Sequence, residues 1–311
     1  MISRRNIRVK VMQMIYATES LKETVISANP AKKLREQIDQ TQELFVYLLH
    51  FILEVAGYAE VDARNRASKN LVTKEDRNIN IKLAANELVW KIRESPAYLY
   101  IINEYKPGSI EDESAVRKVY NALLATDVYK NYISVQSRDK NNEKDILLYI
   151  FTDLMMPDDG FVSFTEEHFS NWQDDADMLR QLIISFLSKP NSFDLRGLMT
   201  DEKWKFANDL FSTTINKREY TTDFIKPKLK NWDADRIAQL DMILMRMGVC
   251  ELLYFETIPP KDTINEYIDI AKEYSTEQSG QFINGILDSI HKDLLRDDKI
   301  HKVNFKQKTN G

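Results

Sequence analysis

The sequence predicts an all-α protein, and three observations carry that expectation. Eight glycines and eight prolines in 311 residues leave few turn signals. Apolar residues recur mostly at i, i+3, i+4 and i+7, the spacing of one helix face. The strict alternation of a half-buried strand is hard to find. With 43% hydrophobic residues the chain can bury a sizeable core, and its length fits one large domain or two ordinary ones.

The opening stretch "RRNIRVKVMQMIY" reads as a helix whose buried stripe is Ile7, Val11, Met14 and Ile15. Arg5, Arg8, Met12 and Tyr16 follow one another along a flank, so a basic ridge carries an aromatic. Arg4, Arg5, Arg8 and Lys10 crowd an end where the helix dipole prefers acids, which favours a functional reason for them. The longest apolar run, "LFVYLLHFILEVAGYA" from Leu44, is broken by His50 and Glu54. It falls short of the roughly 20 residues of a membrane span and is expected to be a buried core helix.

Interruptions are expected at "SANP" before Ala31, "SKNLVTKED" from Ser68, "EYKPGS" from Glu104, "SRDKNNEKD" from Ser137, "MPDDG" ending at Gly160, "SKPNS" from Ser188 and "IPP" ending at Pro260. A helix from about Asp233 to Phe255 is marked by Leu240, Ile243, Leu244 and Met247, with Cys250 inside it as plain core. "TINE" at Thr263 and "STEQ" at Ser275 have capping-box spacing and are expected to start two more helices, with Gln278 a member of the second box. In the last helix Ile283, Ile286, Leu287, Ile290 and Leu294 form the core stripe. Phe282 lies roughly 100° from its middle, beside Gln278, Gly285, Ser289 and Arg296. An aromatic there has two readings: packing at the edge of the core, or a platform on which an unpaired base stacks.

Several function classes are disfavoured. The net charge of −5 argues against a generally basic, nucleic-acid-coating protein, so any RNA contact is local. Acids gather at Glu111 to Glu113 and at Glu166, Glu167, Asp174, Asp175 and Asp177, read as solvated helix faces. His50, His168, His291 and His301 lack metal-ligand spacing, and no dinucleotide, Walker or nucleophile-elbow motif occurs. No catalysis, metal or cofactor is expected. One cysteine excludes an internal disulfide, and the N-terminus shows no apolar segment with a cleavage site; a cytoplasmic protein without membrane contact is expected.

From Trp232 to Ile290 the chain resembles the NusB family of bacterial transcription antitermination factors, most specifically in "IPPKDTINEYIDIAK" and "SGQFINGILD". "RRNIRVKVMQMIY" is similar to the arginine-rich first helix of that family, and "FANDLFSTTINKREYTTDFIKPKL" to its middle helices. The resemblance covers residues 1–20 and 200–295. It implies a discontinuous NusB-like domain of paired three-helix bundles (1–20 with 200–300), a large helical insertion over 21–199 of the kind found in long Bacteroidetes-like members, and a basic tail at 301–311.

The family's function implies binding of single-stranded boxA-type RNA together with a small-subunit ribosomal protein, called NusE in this role. The complex then joins elongating RNA polymerase. Arg4, Arg5, Arg8 and Phe282 fall on RNA-contacting positions of the family, and Tyr16 and Asp241 on its ribosomal-protein interface. Gln278, also on the RNA side, replaces an Asp of the best-known member, and Gln281 replaces a Lys. Gly285 permits close approach on the Phe282 flank or serves helix packing. Two other readings are a protein scaffold that has lost its RNA site and an rRNA methyltransferase. The latter needs a nucleotide-fold domain with catalytic cysteines, which this chain lacks.

Overall fold

The computed structural model describes residues 1–20, 30–68, 73, 80–110, 113–135, 137–192, 194–229 and 237–303. Among these residues the protein is all-α, with fourteen α-helices and no strand. Contacts divide it into a central unit, Gln37–Leu198 with Met1, and a terminal unit, Ile2–Glu36 with Met199–Gly311. Helix α1 is Arg4–Ser20, and α2 is Pro30–Ala67, within which the division falls.

The central unit is built on α2. Its apolar run has no polar side until His50, and a helix that is hydrophobic all round must be covered all round. Leu44, Phe45, Val46, Leu49, Ile52, Leu53, Val55 and Ala56 are fully enclosed. Of the apolar window of this helix, which is long enough to cross a bilayer, 72% is buried inside the protein. Around it lie α3 (Glu87–Arg93), α4 (Pro96–Tyr105), α5 (Glu113–Leu124), α6 (Asp127–Ser134), α7 (Lys140–Tyr149), α8 (Asp159–His168) and α9 (Trp172–Ser188). Aromatic pairs join the layers, with Phe51 and Phe161 centroids 4.9 Å apart and Tyr47 and Phe169 5.0 Å apart.

Of the predicted interruptions, "SRDKNNEKD" and "MPDDG" hold caps, Asp139 and Asp158, whereas the helix starts at Asn86, Ser95 and Thr126 fall where no interruption was expected. Asn86, Ser95, Thr126 and Asp158 each accept a hydrogen bond from a backbone N–H of the following first turn, satisfying groups a helix start leaves open. At "EYKPGS" α4 ends at Tyr105, with Lys106 left-handed at φ 47°. "SRDKNNEKD" is corrected: only its beginning is loop. Asp139 caps α7, which starts at Lys140, and the polar run is helical because Glu143 turns inward to Tyr132 Oη (3.1 Å) and the Glu87 N–H (2.7 Å). Residues 27–29 of "SANP" and most of "SKNLVTKED" lie outside the described residues, as do Glu111, Asp112 and residues 304–311.

The terminal unit comprises α1, α10 (Asp201–Asn216), α11 (Arg218–Ile225), α12 (Gln239–Tyr254), α13 (Pro260–Tyr274) and α14 (Glu277–Arg296). Helix α12 is the centre, buried continuously from Ile243 to Leu252 and in contact with the other five. The backbone approaches closely at Gly248, where an added Cβ would stand 2.8 Å from a Leu287 methyl. Cys250 is enclosed, and burial pushes its thiol up to about 12, which leaves it inert.

Three boundaries are corrected. Helix α12 begins at Gln239, since Ile237 and Ala238 are not helical; Asp233 to Arg236 lie outside the described residues. Helix α13 begins at Pro260, before "TINE", because a proline at the first helical position has no N–H to leave unpaired. Thr263 is therefore inside the helix, and its hydroxyl donates to Glu251 Oε1 at 2.9 Å. In "STEQ" the cap is Thr276, which accepts from Ser279 N–H at 3.0 Å, and Ser275 closes α13. Gln278 is thus no capping-box partner and stands exposed on the first turn of α14.

Candidate nucleic-acid interface

The predicted stripe of α1 is buried, with Ile7, Val11 and Ile15 at 1% exposure or less. Its flank differs from the expected ridge. Arg4 is exposed and its Nη2 donates to Glu202 Oε1 at 2.9 Å; Arg5 is half-buried and bonds Glu273 Oε2 at 2.8 Å. Both pairs are accessible to water, where ion pairs contribute about 0–1 kcal/mol, so an incoming phosphate can exchange with either carboxylate. Tyr16 is 45% exposed, whereas Met12 is enclosed.

Arg8 is not on the surface at all. Its residue is 3% exposed, and its guanidinium forks onto Glu251 of α12, Nε to Oε2 at 2.9 Å and Nη2 to Oε1 at 2.6 Å. The placement of Arg8 on a solvent-facing ridge is corrected for a physical reason: Glu251 is fully buried, and a buried carboxylate requires donors. Thr263 Oγ1 and Tyr267 Oη (3.1 Å) complete its shell. Burial works against the charge on Arg8, but the hydrogen bonds and charge of Glu251 outweigh it and hold the proton more firmly than on a free arginine. Lys10 is buried as well, so the basic start of the chain presents two arginines outward, not four cations.

Helix α14 buries Ile283, Ile286, Leu287, Ile290 and Leu294, the predicted stripe. Phe282 is half-buried on its flank, and Gln278, Gln281 and Gly285 beside it are exposed. A Cβ at Gly285 would meet nothing within 4 Å, so helix packing does not require this glycine. At Gly280 a Cβ would stand 2.7 Å from Lys272 Cγ, which seats the first turn of α14 against the last turns of α13. Arg5 pairs with Glu273 on those same turns. Arg5 and the start of α14 therefore flank one end of α13.

Asp241, in the first turn of α12, is 6% exposed. Its Oδ2 accepts from Ser279 Oγ at 2.8 Å, while its buried Oδ1 meets no donor among the described residues. Ser279 Oγ also lies 2.9 Å from Thr276 Oγ1 and 3.0 Å from Ser275 Oγ. Sequence reasoning missed Glu251 and Ser279. Glu251 had a signal, a lone carboxylate in the apolar run "VCELLY"; Ser279 had none beyond its place in a serine-rich helix start.

The described residues hold no group of three His, Cys, Asp or Glu side chains arranged for a metal ion. A cavity of about 480 Å³ lies in the central unit, lined by Lys91, Lys140, Lys144 and Phe186 among others, and none of the predicted site residues borders it.

A family model described as the NusB family matches residues 170–292. The chain is 43% identical over 98 residues to the transcription antitermination protein NusB of Salinibacter ruber, covering 32% of this chain and 61% of that one. It is 49% identical over 97 residues to the protein of that name from Methylacidiphilum infernorum, 31% of this chain and 68% of the relative. For the Finegoldia magna protein of that name the figures are 42% over 88 residues, 28% and 64%. The chain thus spans about two thirds or slightly less of each relative. No solved structure matches it. With a named relative matched over more than two thirds of its length at 49% identity, and the family's own pattern running from α9 into α14, the chain belongs to the NusB family.

Proposed function

We propose that this protein is a transcription antitermination factor that binds boxA-type single-stranded RNA together with a small-subunit ribosomal protein in the NusE role, and through them acts on elongating RNA polymerase in the cytoplasm. The observation that carries the reading is Phe282. It sits off the buried stripe of α14, partly open to solvent, with exposed Gln278 and open Gly285 on the same flank. An aromatic face beside small and polar neighbours is what an unstacked base uses. Arg4 and Arg5 supply phosphate contacts, which position RNA without reading its bases. Arg8 holds Glu251 and so fixes α1 on α12, which sets where the two outer arginines stand. Tyr16 faces the partner from the exposed flank of α1, Asp241 belongs to the same interface as a buried group that holds Ser279, and the protein works by binding alone, without catalysis.

A titration of boxA-type against scrambled RNA, with and without the ribosomal protein, tests this. Phe282→Ala is expected to weaken boxA binding by about 1–3 kcal/mol at unchanged fold, the worth of one base stacked on an aromatic. Equal affinity for both RNAs ends the RNA reading. One observation favours a second reading, that of a protein scaffold: Arg4 and Arg5 already have acidic partners on their own chain. Binding of the ribosomal protein with no affinity for RNA would select it.

A further inference from the structure

The functional reading leaves the cavity of the central unit unused. Two of its walls, α3 and α7, lie outside the family-matched residues 170–292, and the end of α9 with the turn after it forms the third. These walls are held together by the chain's own bonds. Asn86, the cap of α3, donates through its amide to the Glu143 carbonyl on α7 at 2.8 Å, and the Glu143 carboxylate accepts the Glu87 N–H and the Tyr132 hydroxyl. At about 480 Å³ the space falls within the roughly 300–1,000 Å³ of sites that hold a small organic molecule.

Its lining is divided. Leu88, Ile92, Phe186 and Leu195 make an apolar wall, while Lys91, Lys140 and Lys144 bring cations to the same space. Lys140 and Lys144 stand four residues apart in the first turns of α7 and so share one side of it. Like charges at that spacing repel, and the dipole at this end of the helix also opposes them, so α7 gains nothing from the pair. Carboxylates do not account for the cations either. Among the described residues Lys140 has no carboxylate within 4 Å, Lys144 has its exposed neighbour Asp145 at 3.2 Å, and Lys91 has exposed Glu87 at 3.7 Å. The buried carboxylate of the lining, Glu143, already has both oxygens bonded to α3 and α6.

Three cations beside an apolar wall match a molecule with a polyanionic end and an uncharged body. The side-chain amides of Asn141 and Asn191 border the same space and offer both donors and acceptors, which the edge of a heterocyclic base can use. We propose that this cavity binds a nucleoside polyphosphate, with its phosphates on Lys91, Lys140 and Lys144 and its base and sugar against the apolar wall. Lysine serves a phosphate as a point charge, without the fixed fork of arginine, and so suits a chain of phosphates rather than one planar group.

Isothermal titration of the full chain with ATP, GTP, CTP and UTP tests this, with inorganic tripolyphosphate as the anion alone and the matching nucleoside as the body alone. At least one nucleotide is expected to bind, and more tightly than either of its parts. Lys140→Gln combined with Lys144→Gln is expected to weaken that binding by about tenfold or more, as for lost hydrogen bonds to a charged group. Ala97→Phe, which puts a ring into the lining, is expected to abolish it. Lys130→Gln, on α6 and outside the lining, is expected to leave the Kd unchanged. Thermal melting confirms that each variant is folded. Absence of binding by all four nucleotides overturns the inference, as does tripolyphosphate binding as tightly as any of them, or folded lysine and Ala97 variants with the wild-type Kd. Loss of nucleotide binding in Phe282→Ala would put the ligand on the RNA-facing flank of α14 and overturn it too.

Discussion

The two units solve the problem of a helical core differently. In the central unit the interior is ring against ring around α2, and its buried carboxylates meet neutral donors, Glu143 the Tyr132 hydroxyl and Asp175 the Thr41 hydroxyl and Asn171 amide. In the terminal unit the interior carries ion pairs. Arg8 and Glu251 are both buried, and Arg246, 2% exposed, reaches Glu19 Oε2 at 2.8 Å. A core of rings depends on volume. A core with ion pairs depends on each charge keeping its counterpart, since removing one partner strands the other in a poor solvent.

The comparison breaks first at Glu251. Glu251→Ala leaves Arg8 without its carboxylate and is expected to destabilise the terminal unit by about 3–5 kcal/mol. Hydrogen exchange should lose protection in α1, α12 and α13 while α2 to α9 keep theirs; equal loss in both units would mean that the division has no energetic counterpart. The matching test in the central unit is Leu53→Ala, a fully buried side chain whose truncation is expected to cost about 3 kcal/mol through lost contacts and a residual cavity. Protection should fall there and persist in the terminal unit.

A smaller effect sharpens the electrostatic side. Lys302 donates to the carbonyls of Glu251 (3.0 Å) and Phe255 (2.8 Å), and burial lowers its pKa to about 8. The depressed value means that between pH 8 and the ordinary lysine range the unfolded chain binds more protons than the folded one. This group's contribution to stability therefore rises with pH through that window and is lost as pH falls through 8. Lys302→Met should flatten that rise in melting temperature from pH 7 to pH 10; an unchanged slope would place its origin elsewhere.

What the sequence disclosed follows from the same contrast. The stripe of α14 was legible because one face of that helix meets the core and the other meets water, so periodicity maps burial directly. Helix α12 was legible from its stripe at Leu240, Ile243, Leu244 and Met247, but its start was hidden because Ala238 caps it without a side-chain hydrogen bond. The caps slipped where two candidates stood side by side, Ser275 and Thr276, or where proline rather than a hydroxyl began the helix. Helix α7 was hidden because its first turns are polar and its inward residue is Glu143. Among the site residues, Arg4, Arg5, Tyr16 and Phe282 stand at least partly in solvent, as a wheel drawn from one helix suggests. Arg8 does not, because its position is decided by Glu251, 243 residues away in the chain. No pattern within a single helix contains that information.

The last described residues have a practical consequence. After α14 the chain turns at Asp298, left-handed at φ 50°, and runs back so that Lys302 and the Val303 N–H bond carbonyls at and just beyond the end of α12. A chain shortened at Arg296 would keep every helix yet open the end of the central one to water, beside the carboxylate that anchors α1. Truncation and affinity-tag design should therefore keep the chain at least through Val303, rather than stop at the last helical residue.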